Sequence, residues 1–412
     1  MTVHQDAKAI MNAALHAAMP DTAVEKALKQ LPECKGKLVL IAAGKAAWQM
    51  AAAAYNILGD RIHHGVICTK YDHCKGPIGN LILSEGGHPV PDENSYKGTQ
   101  LAIDAVKDLT QEDVVLFLVS GGGSALFEKP LIPEAEMADI TRQLLACGAD
   151  IVEINTLRKR LSAVKGGKFA QLCAPAKVFS IILSDVLGDP LDMIASGPAY
   201  PDSATREQAL AIIEKYKLRL SDAAKALMEI ETPKTLKNVE SLITGSVKQL
   251  CVAAAAKAEE LGYRPIVLTA SLSCEARDAG SFLASIAQYH AGCGEKLAFI
   301  AGGETVVHLT GKGKGGRNQE LALSGARGIG GINNTVLFSL GSDGTDGPTD
   351  AAGGYCDSST KEILAQQGVS IPAVLLNNDA YHALQKCDGL IMTGPTGTNV
   401  NDVAVVLIGP RA

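Results

Sequence analysis

The most constraining feature of this sequence is a series of short apolar runs that each end in a glycine-containing polar loop. The runs are rich in Val, Ile and Leu and lack the alternation of a half-exposed strand, which is typical of parallel strands buried on both faces. They read KLVLIAAGKAA, VVLFLVSGGGSA, VFSIILSDVLGDP, SLITGS, LAFIAGGETVV, TVLFSLGSDGTDG and GLIMTGPTGTN.

Helical segments separate these runs. Ala46 to Leu58 is rich in alanine, Glu134 to Ala146 has apolar residues at helical spacing, and Lys248 to Leu261 precedes a glycine that can end a helix. Strand, glycine loop and helix in alternation predict an α/β protein with mainly parallel sheets. Ligands of such proteins bind beyond the carboxyl ends of the strands, where the glycine loops would lie.

Size and composition narrow the class of protein. A chain of 412 residues is too long for one ordinary core, and the polar segment Glu231 to Asn238 contains a proline, so we predict two domains, 1–235 and 236–412. The net charge of -6 disfavours nucleic acid as a partner. Scattered cysteines without zinc-ligand spacing, no signal-peptide pattern and no run long enough to cross a membrane predict a cytoplasmic protein.

The loop VSGGGSALF, from Val119 to Phe127, places three glycines directly after a buried strand. It does not complete the dinucleotide fingerprint G-x-G-x-x-G or the nucleophile elbow G-x-S-x-G, because Leu126 occupies the last glycine position of both. Main-chain N–H groups, a helix N-terminus and a hydroxyl together still form a site suited to an anion. A purely structural tight turn is the alternative.

Cationic residues stand in several of these loops. Lys45 follows the first buried run, where an anion would compensate its charge, although its side chain could also extend to solvent at the edge of the sheet. Arg317 lies in GKGKGGRNQE and suits bidentate recognition of a carboxylate or phosphate. Lys165 and Lys168 belong to a basic segment, 155–170, that is either a phosphate-binding segment or a solvated helix face.

Two loops are rich in aspartate. Asp185, Asp189 and Asp192 follow one buried run, and Asp346 lies in GSDGTDGPTD. Such carboxylates can hold Mg²⁺ or accept a proton from a hydroxyl, and they can also cap helices and fill turns. Glycine loops, cations and carboxylates without a hydride-cofactor fingerprint are the groups that phosphoryl transfer uses.

In these motifs the chain resembles the glycerate 2-kinases of the MOFRL family. The similar stretches follow the family order and cover nearly the whole chain. They are GGHPVPDENS, SGGGSAL, INTLRKRLSAVKGGKFA, SDVLGDPLDMIASGP, GGETVV, GGRNQE, GTDGPTDAAG and TGPTGTNVND. One departure is ICTKYDHC, where relatives tend to have glycine in place of Asp72.

The resemblance implies a fold and an activity. It implies an N-terminal Rossmann-like domain with a parallel sheet flanked by helices, a C-terminal α/β MOFRL domain, and an active site in the cleft between them. The activity would be phosphorylation of D-glycerate at the 2-hydroxyl by ATP and Mg²⁺, giving 2-phosphoglycerate and ADP. Alternatives are an NAD(P)-dependent hydroxypyruvate reductase, a kinase of a related hydroxy acid and a non-catalytic binding protein. A homodimer is left open.

The resemblance also implies catalytic roles for Lys45 and Arg317, and the loop chemistry described above supplies hypotheses for the other residues. Lys45 and Arg317 are the expected catalytic cations, with Asp189 as a third catalytic group. Asp189 and then Asp346 are the expected Mg²⁺ ligands, and Asp189 or Asp192 the expected proton acceptor. The residues expected to hold the ATP phosphates are Ser120, Gly121, Gly122, Gly123, Ser124, Lys165 and Lys168.

Overall fold

A computed structural model describes residues 2–188 and 190–410. The strands are β1 (Leu38–Ala43), β2 (Ile62–Lys70), β3 (Ile82–Gly86), β4 (Val114–Val119), β5 (Lys177–Leu183), β6 (Val239–Gly245), β7 (Arg264–Leu272), β8 (Leu297–Gly303), β9 (Thr335–Gly341), β10 (Gly353–Asp357), β11 (Leu390–Ile391) and β12 (Asp402–Ile408).

The α-helices connect and cover these strands. They are α1 (Val3–Ala18), α2 (Pro20–Leu28), α3 (Ala47–Leu58), α4 (Glu93–Ala105), α5 (Gly123–Leu126), α6 (Glu134–Ala146), α7 (Ile151–Leu161), α8 (Lys168–Leu172), α9 (Arg206–Tyr216), α10 (Asp222–Met228), α11 (Val247–Glu260), α12 (Ala276–His290), α13 (Arg317–Ile329), α14 (Thr360–Gln366), α15 (Ile371–Leu376) and α16 (Ala380–Gln385). None of the helices in the described ranges is long and apolar enough to span a membrane.

The chain divides into two compact units. The first, the N-terminal unit, comprises Ala23–Thr244, and the second, the C-terminal unit, comprises the residues up to Thr22 together with those from Gly245 onward. This division differs from the domains 1–235 and 236–412 predicted from the sequence, because α1 packs against α11 of the C-terminal unit. A buried hydrogen bond of 2.9 Å from the Tyr263 hydroxyl to Asp6 Oδ2 fixes α1 there.

The sheet of the N-terminal unit has the strand order β3-β2-β1-β4-β5-β6. The pairs β2–β3, β1–β2, β1–β4 and β4–β5 are parallel, as the apolar runs predicted. Every residue of β1 and β4 is buried. This is the Rossmann-type order, in which the connections leave in opposite directions from the two central strands, so the loops after β1 and β4 border the expected ligand crevice.

A left-handed backbone at Asp72 explains the one departure from the family pattern. Its φ is 66°, a conformation that glycine adopts without steric cost and that aspartate tolerates better than most residues. The glycine expected from the family resemblance and the aspartate present here would therefore both suit this turn after β2.

The sheet of the C-terminal unit has the order β11-β10-β9-β12-β8-β7 and is mostly antiparallel. Only the β7–β8 pair is parallel among the pairs that the structure describes, whereas β12 runs antiparallel between β8 and β9. The expectation of mainly parallel sheets was therefore wrong for this unit. Strands β8, β9 and β12 are fully buried, and a continuous apolar run reports burial on both faces but not strand direction.

Candidate active site

Two loops of the N-terminal unit are joined at the carboxyl ends of β1 and β4. The N–H of Lys45 donates to the carbonyl of Gly121 at 2.9 Å, and the N–H of Ala46 donates to Ser120 Oγ at 3.0 Å. Gly44 has a φ of 122°, and a Cβ there would lie 2.3 Å from Ser120 Oγ. Because the two loops approach so closely, the position of Lys45 is set by the glycine loop.

Gly122 lies where two side chains converge. It has a φ of 82°, and a Cβ added to it would lie 3.0 Å from Cδ2 and Nε2 of His88 and 3.2 Å from Cε of Lys45. The ends of both side chains therefore border the main chain of this glycine. Among the described residues, no hydrogen bond or ion pair engages the Lys45 ammonium group or the His88 ring.

The other two glycines of the loop make room for different neighbours. A Cβ at Gly121 would lie 2.2 Å from Oδ2 of Asp185, and one at Gly123 would lie 2.6 Å from Cβ of Ala195. The helix that follows, α5, is a single turn of four residues. Any anion binding here must therefore depend on local N–H groups and side chains more than on a helix dipole.

The last serine of the loop belongs to a buried polar chain. Ser124 Oγ lies 2.9 Å from Ser196 Oγ, which in turn donates to Asn155 Oδ1 at 3.3 Å. Ala195 and Ser196 are both buried with positive φ angles of 52° and 61°. Left-handed backbone at two successive non-glycine residues is costly and is found most often where the surrounding structure serves a site.

Lys165 and Lys168 bind main-chain carbonyl groups inside the unit. Lys165 Nζ donates to the carbonyls of Ser124 at 2.8 Å and Phe127 at 3.2 Å, and lies 3.5 Å from Glu128. Lys168 Nζ donates to three carbonyls at the end of α7, at 2.7 to 3.0 Å. Burial lowers the pKa of each ammonium group to about 8. Their role as ATP ligands stays a prediction. To bind a phosphate, each ammonium group would first have to give up hydrogen bonds to main-chain carbonyl groups.

The aspartates of the neighbouring loop lie in different settings. Asp189 lies outside the described residues, so its predicted roles stay predictions. Asp192 is 3.4 Å from Lys159 Nζ and accepts a hydrogen bond from Ser203. Lys159 is buried and also contacts Asp202 at 2.9 Å. Asp192 is thus part of an ionic network in the N-terminal unit.

Arg317 is held by two carboxylates in the C-terminal unit. Its Nε and Nη2 donate to the two carboxylate oxygens of Asp402 at 2.6 and 3.0 Å, and Nη1 lies 3.3 Å from Glu304. Burial alone would lower the pKa of Arg317, but the hydrogen bond and charge of Asp402 outweigh it and raise the pKa. These contacts fix the plane of the guanidinium group and leave further N–H donors for a substrate.

Asp346 caps the helix that carries Arg317. Its two carboxylate oxygens accept the N–H groups of Asn318 at 3.2 Å and Gln319 at 2.9 Å, which open α13. A Cβ at Gly316 would lie 2.3 Å from the Asp346 carboxyl carbon, so this close approach requires the glycine. Burial raises the pKa of Asp346 to about 6, and the Asp402 charge adds to the rise, whereas the two N–H groups oppose it.

Metal-ligand geometry is limited in the part of the chain that the structure describes. No group of three or more His, Cys, Asp or Glu side chains there is arranged to hold a metal ion. Asp346 accepts three N–H contacts, from the main chain of Asn318 and Gln319 and from Asn318 Nδ2, and a remaining lone pair could supply one oxygen ligand. A divalent cation would need most of its ligands from a bound phosphate and water.

Comparison with known proteins identifies the family. The model described as a domain of unknown function, DUF4147, matches residues 6–229, and the MOFRL family model matches residues 297–402. A D-glycerate 2-kinase of Thermotoga maritima is 51% identical over 405 residues, which are 97% of each chain. The chain belongs to the MOFRL glycerate 2-kinase family.

Other family members agree in fold and differ in name. A crystal structure of glycerate kinase from Thermotoga maritima has a TM-score of 0.94 and 50% identity, covering 98% of this chain and 99% of that one. A relative from Agrobacterium vitis that carries a hydroxypyruvate reductase name is 38% identical over 388 residues, covering 91% of this chain and all of its own. One fold thus occurs under two activity names within the MOFRL glycerate 2-kinase family.

Three side chains at these sites were not singled out from the sequence. His88, Glu304 and Asp402 lie in GGHPVP, GGETVV and TNVND, which carried the family resemblance but had no assigned role. Asp402 pairs with Gly303 and Gly341 at the first residue of β12, so a search for loops after strands overlooks it. The polar pattern before an apolar run was the signal that could have revealed it.

Proposed function

We propose that this chain transfers the γ-phosphoryl group of ATP to the 2-hydroxyl of D-glycerate, giving 2-phosphoglycerate and ADP. The observation that carries the proposal is the Lys45 ammonium group. It reaches the glycine loop at the switch point of a Rossmann-type sheet and forms no ion pair among the described residues. A half-buried ammonium group in a ligand crevice is suited to a phosphate.

On the phosphate side, the loop from Ser120 to Ser124 and Lys45 would contact the ATP phosphates. The loop offers main-chain N–H groups and bare glycine backbone, and Lys45 supplies the charge that stabilises the transferring group. For Lys165 and Lys168 we propose a different role from the one expected from the sequence. Their carbonyl contacts support the ends of α5 and α7, and so hold the loop in place.

On the substrate side, Arg317 would bind the carboxylate of glycerate. Asp402 and Glu304 fix its guanidinium plane, and a fixed plane makes bidentate contact with a second carboxylate specific. Arg317 could equally contact an oxygen of the transferred phosphoryl group. The two roles differ in their kinetics, since loss of a carboxylate contact raises KM for glycerate and loss of a transition-state contact lowers kcat.

Mg²⁺ is the proposed metal, with Asp189 the first and Asp346 the second candidate ligand. Mg²⁺ keeps several waters and binds through one or two carboxylates plus substrate phosphates, so few protein ligands are required. When bound, it would neutralise charge on the β- and γ-phosphates. The residues of the chain then orient the two substrates, exclude water and bear the charge that develops on the transferred oxygens.

Two related proposals concern the cellular setting. We propose that the protein acts in the cytoplasm on small molecules, with glycerate and a nucleotide as partners. We also propose a homodimer, which light scattering would detect. The Agrobacterium name supports testing hydroxypyruvate reduction as the alternative activity. The incomplete dinucleotide fingerprint of the glycine loop argues against it.

The deciding experiment is ³¹P NMR of the protein with ATP, Mg²⁺ and D-glycerate, next to an assay with NADH and hydroxypyruvate. A 2-phosphoglycerate signal that disappears in Lys45→Ala and Arg317→Ala supports the activity and both residues. Lys97→Ala and Arg142→Ala are matched controls, since these side chains are 63% and 73% exposed. A 3-phosphoglycerate signal would show that the 3-hydroxyl is the acceptor instead of the 2-hydroxyl. NADH oxidation without phosphoryl transfer would refute the kinase activity.

A further inference from the structure

The imidazole of His88 reaches the glycine loop. Its Cδ2–Nε2 edge faces Gly122, at 3.0 Å from the position of a Cβ there, and Lys45 Cε is 3.2 Å from the same point. The imidazole and the ammonium group therefore border one patch of main chain. We propose that His88 is the proton acceptor of the reaction, and that it removes the proton of the glycerate hydroxyl while Lys45 contacts the phosphoryl group.

The surroundings of His88 keep its ring neutral. Partial burial lowers the pKa of the imidazole below its ordinary value, and the positive charges of Lys45 and Lys70 lower it further. Two carboxylates lie beside neighbouring glycines, Asp92 against Gly87 and Asp185 against Gly121. A neutral imidazole at pH 7 has one ring nitrogen with a free lone pair, which is the form that a general base requires.

The other candidates for this task are less suited. Asp192, expected from the sequence, is hydrogen-bonded to Ser203 and lies beside Lys159, so its lone pairs are partly committed. Asp189, if it holds Mg²⁺, would be a weak base, because a bound cation stabilises the ionised carboxylate. Nδ1 of His73 is hydrogen-bonded to the main-chain carbonyl of Lys45, so this ring already has a positioning role.

This proton transfer rests on the proposed kinase function. The hydroxyl oxygen of glycerate forms a bond to the γ-phosphorus, and the bond from that phosphorus to the bridging oxygen of ATP breaks. The electron pair of the broken bond stays on the β-phosphate of ADP. The hydroxyl proton moves to Nε2 of His88, and the imidazolium then releases it to solvent.

The test is the pH profile of kcat/KM for glycerate at saturating ATP, from about pH 5 to 9, for the wild type and His88→Gln. The wild type should lose activity about tenfold per pH unit below a pKa lower than about 6.5. His88→Gln should be about 10²-fold slower on the plateau and lack this acidic limb. His63→Gln, on an exposed part of β2, is the matched control and should match the wild type.

Chemical rescue separates a catalytic role from a structural one. Free imidazole should restore activity to His88→Ala in proportion to its unprotonated fraction, which a merely misfolded variant would not show. A His88→Gln variant within threefold of the wild type with the same acidic limb would overturn the proposal. So would a wild-type profile that stays nearly flat down to pH 5, as an ordinary carboxylate with a pKa near 4 would give. Absence of phosphoglycerate with the wild type would instead refute the proposed function.

Discussion

Replacing Gly122 by alanine tests whether the space between Lys45 and His88 is needed for activity. The matched control is Gly148→Ala, at the end of α6. Both glycines have positive φ angles, 82° and 72°, so both substitutions force an L-residue into a left-handed conformation. A Cβ at Gly148 would meet no atom within 4 Å, whereas one at Gly122 would meet both side chains. The pair therefore separates backbone strain from occupation of the site.

The expected magnitudes follow from these contacts. The left-handed conformation costs about 1–2 kcal/mol in either variant, which lowers Tm by several degrees in a unit of this size. Atoms in ordinary van der Waals contact are about 3.5–4.0 Å apart, so the His88 ring, at 3.0 Å, must retreat by about 0.5–1 Å. Displacement by about 1 Å at a catalytic site costs about 10²-fold, so Gly122→Ala should lose about 10- to 100-fold in kcat/KM.

The assay compares Tm and kcat/KM for the two variants and the wild type, with ADP release as the readout. Similar losses of Tm in both variants, with loss of activity only in Gly122→Ala, would support the reasoning. Equal activity of Gly122→Ala and Gly148→Ala would refute it, because the space at Gly122 would then serve no step. A fall in activity without a fall in Tm for either variant would refute the strain estimate.

Three further predictions concern cations and a helix cap. Arg317→Lys should lower kcat/KM about 10²–10³-fold in the same assay, because lysine cannot replace a planar group held by two carboxylates; activity within threefold would contradict this. Folded Lys165 and Lys168 lose their protons near pH 8 and unfolded lysine near 10.4, so the free energy of unfolding should rise from about pH 8 to 10 in guanidinium titrations; a flat profile, or one unchanged in Lys168→Met, would count against it. Asp346→Ala should lower the free energy of unfolding by about 1–2 kcal/mol, because two N–H groups of α13 lose their acceptor; unchanged denaturant midpoints would rule out the cap.

Much of the fold could be predicted because burial leaves a continuous apolar pattern. The runs that form β1, β4, β5, β8 and β9 were recognised in this way, and the helices Ala46 to Leu58 and Glu134 to Ala146 lie within one residue of α3 and α6. Strand β12 was missed because the search was for polar loops that follow apolar runs. Strand β12 runs antiparallel to its neighbours, and its polar residues precede its apolar run. Strand β7 was missed, since its residues are half exposed and its pairing with β8 is irregular.

The positions of candidate site residues were predictable where a residue type and a loop sufficed, and their roles stay predictions. Lys45 and Arg317 were singled out because each is a cation beside glycines. The structure places Lys45 after the carboxyl end of β1 and Arg317 at the start of α13. Lys165 and Lys168 look the same in the sequence, but the difference between a carbonyl partner and a free ammonium group exists only after folding. His88 was overlooked because its proposed role depends on its position beside Gly122, and that proximity arises only when the chain folds.

The interleaved course of the chain determines the order in which its parts can be completed during synthesis. Helix α1 is made before the N-terminal unit, but its partner α11 and the Tyr263 hydroxyl that binds Asp6 are made only after the whole of that unit. The N-terminal unit can therefore fold before α11 has been made. Until then the apolar face of α1 has no partner to pack against. Removing α1 should harm the unit encoded at the far end of the gene, and a circular permutant that starts near Ala23 and ends with α1 would make both units continuous.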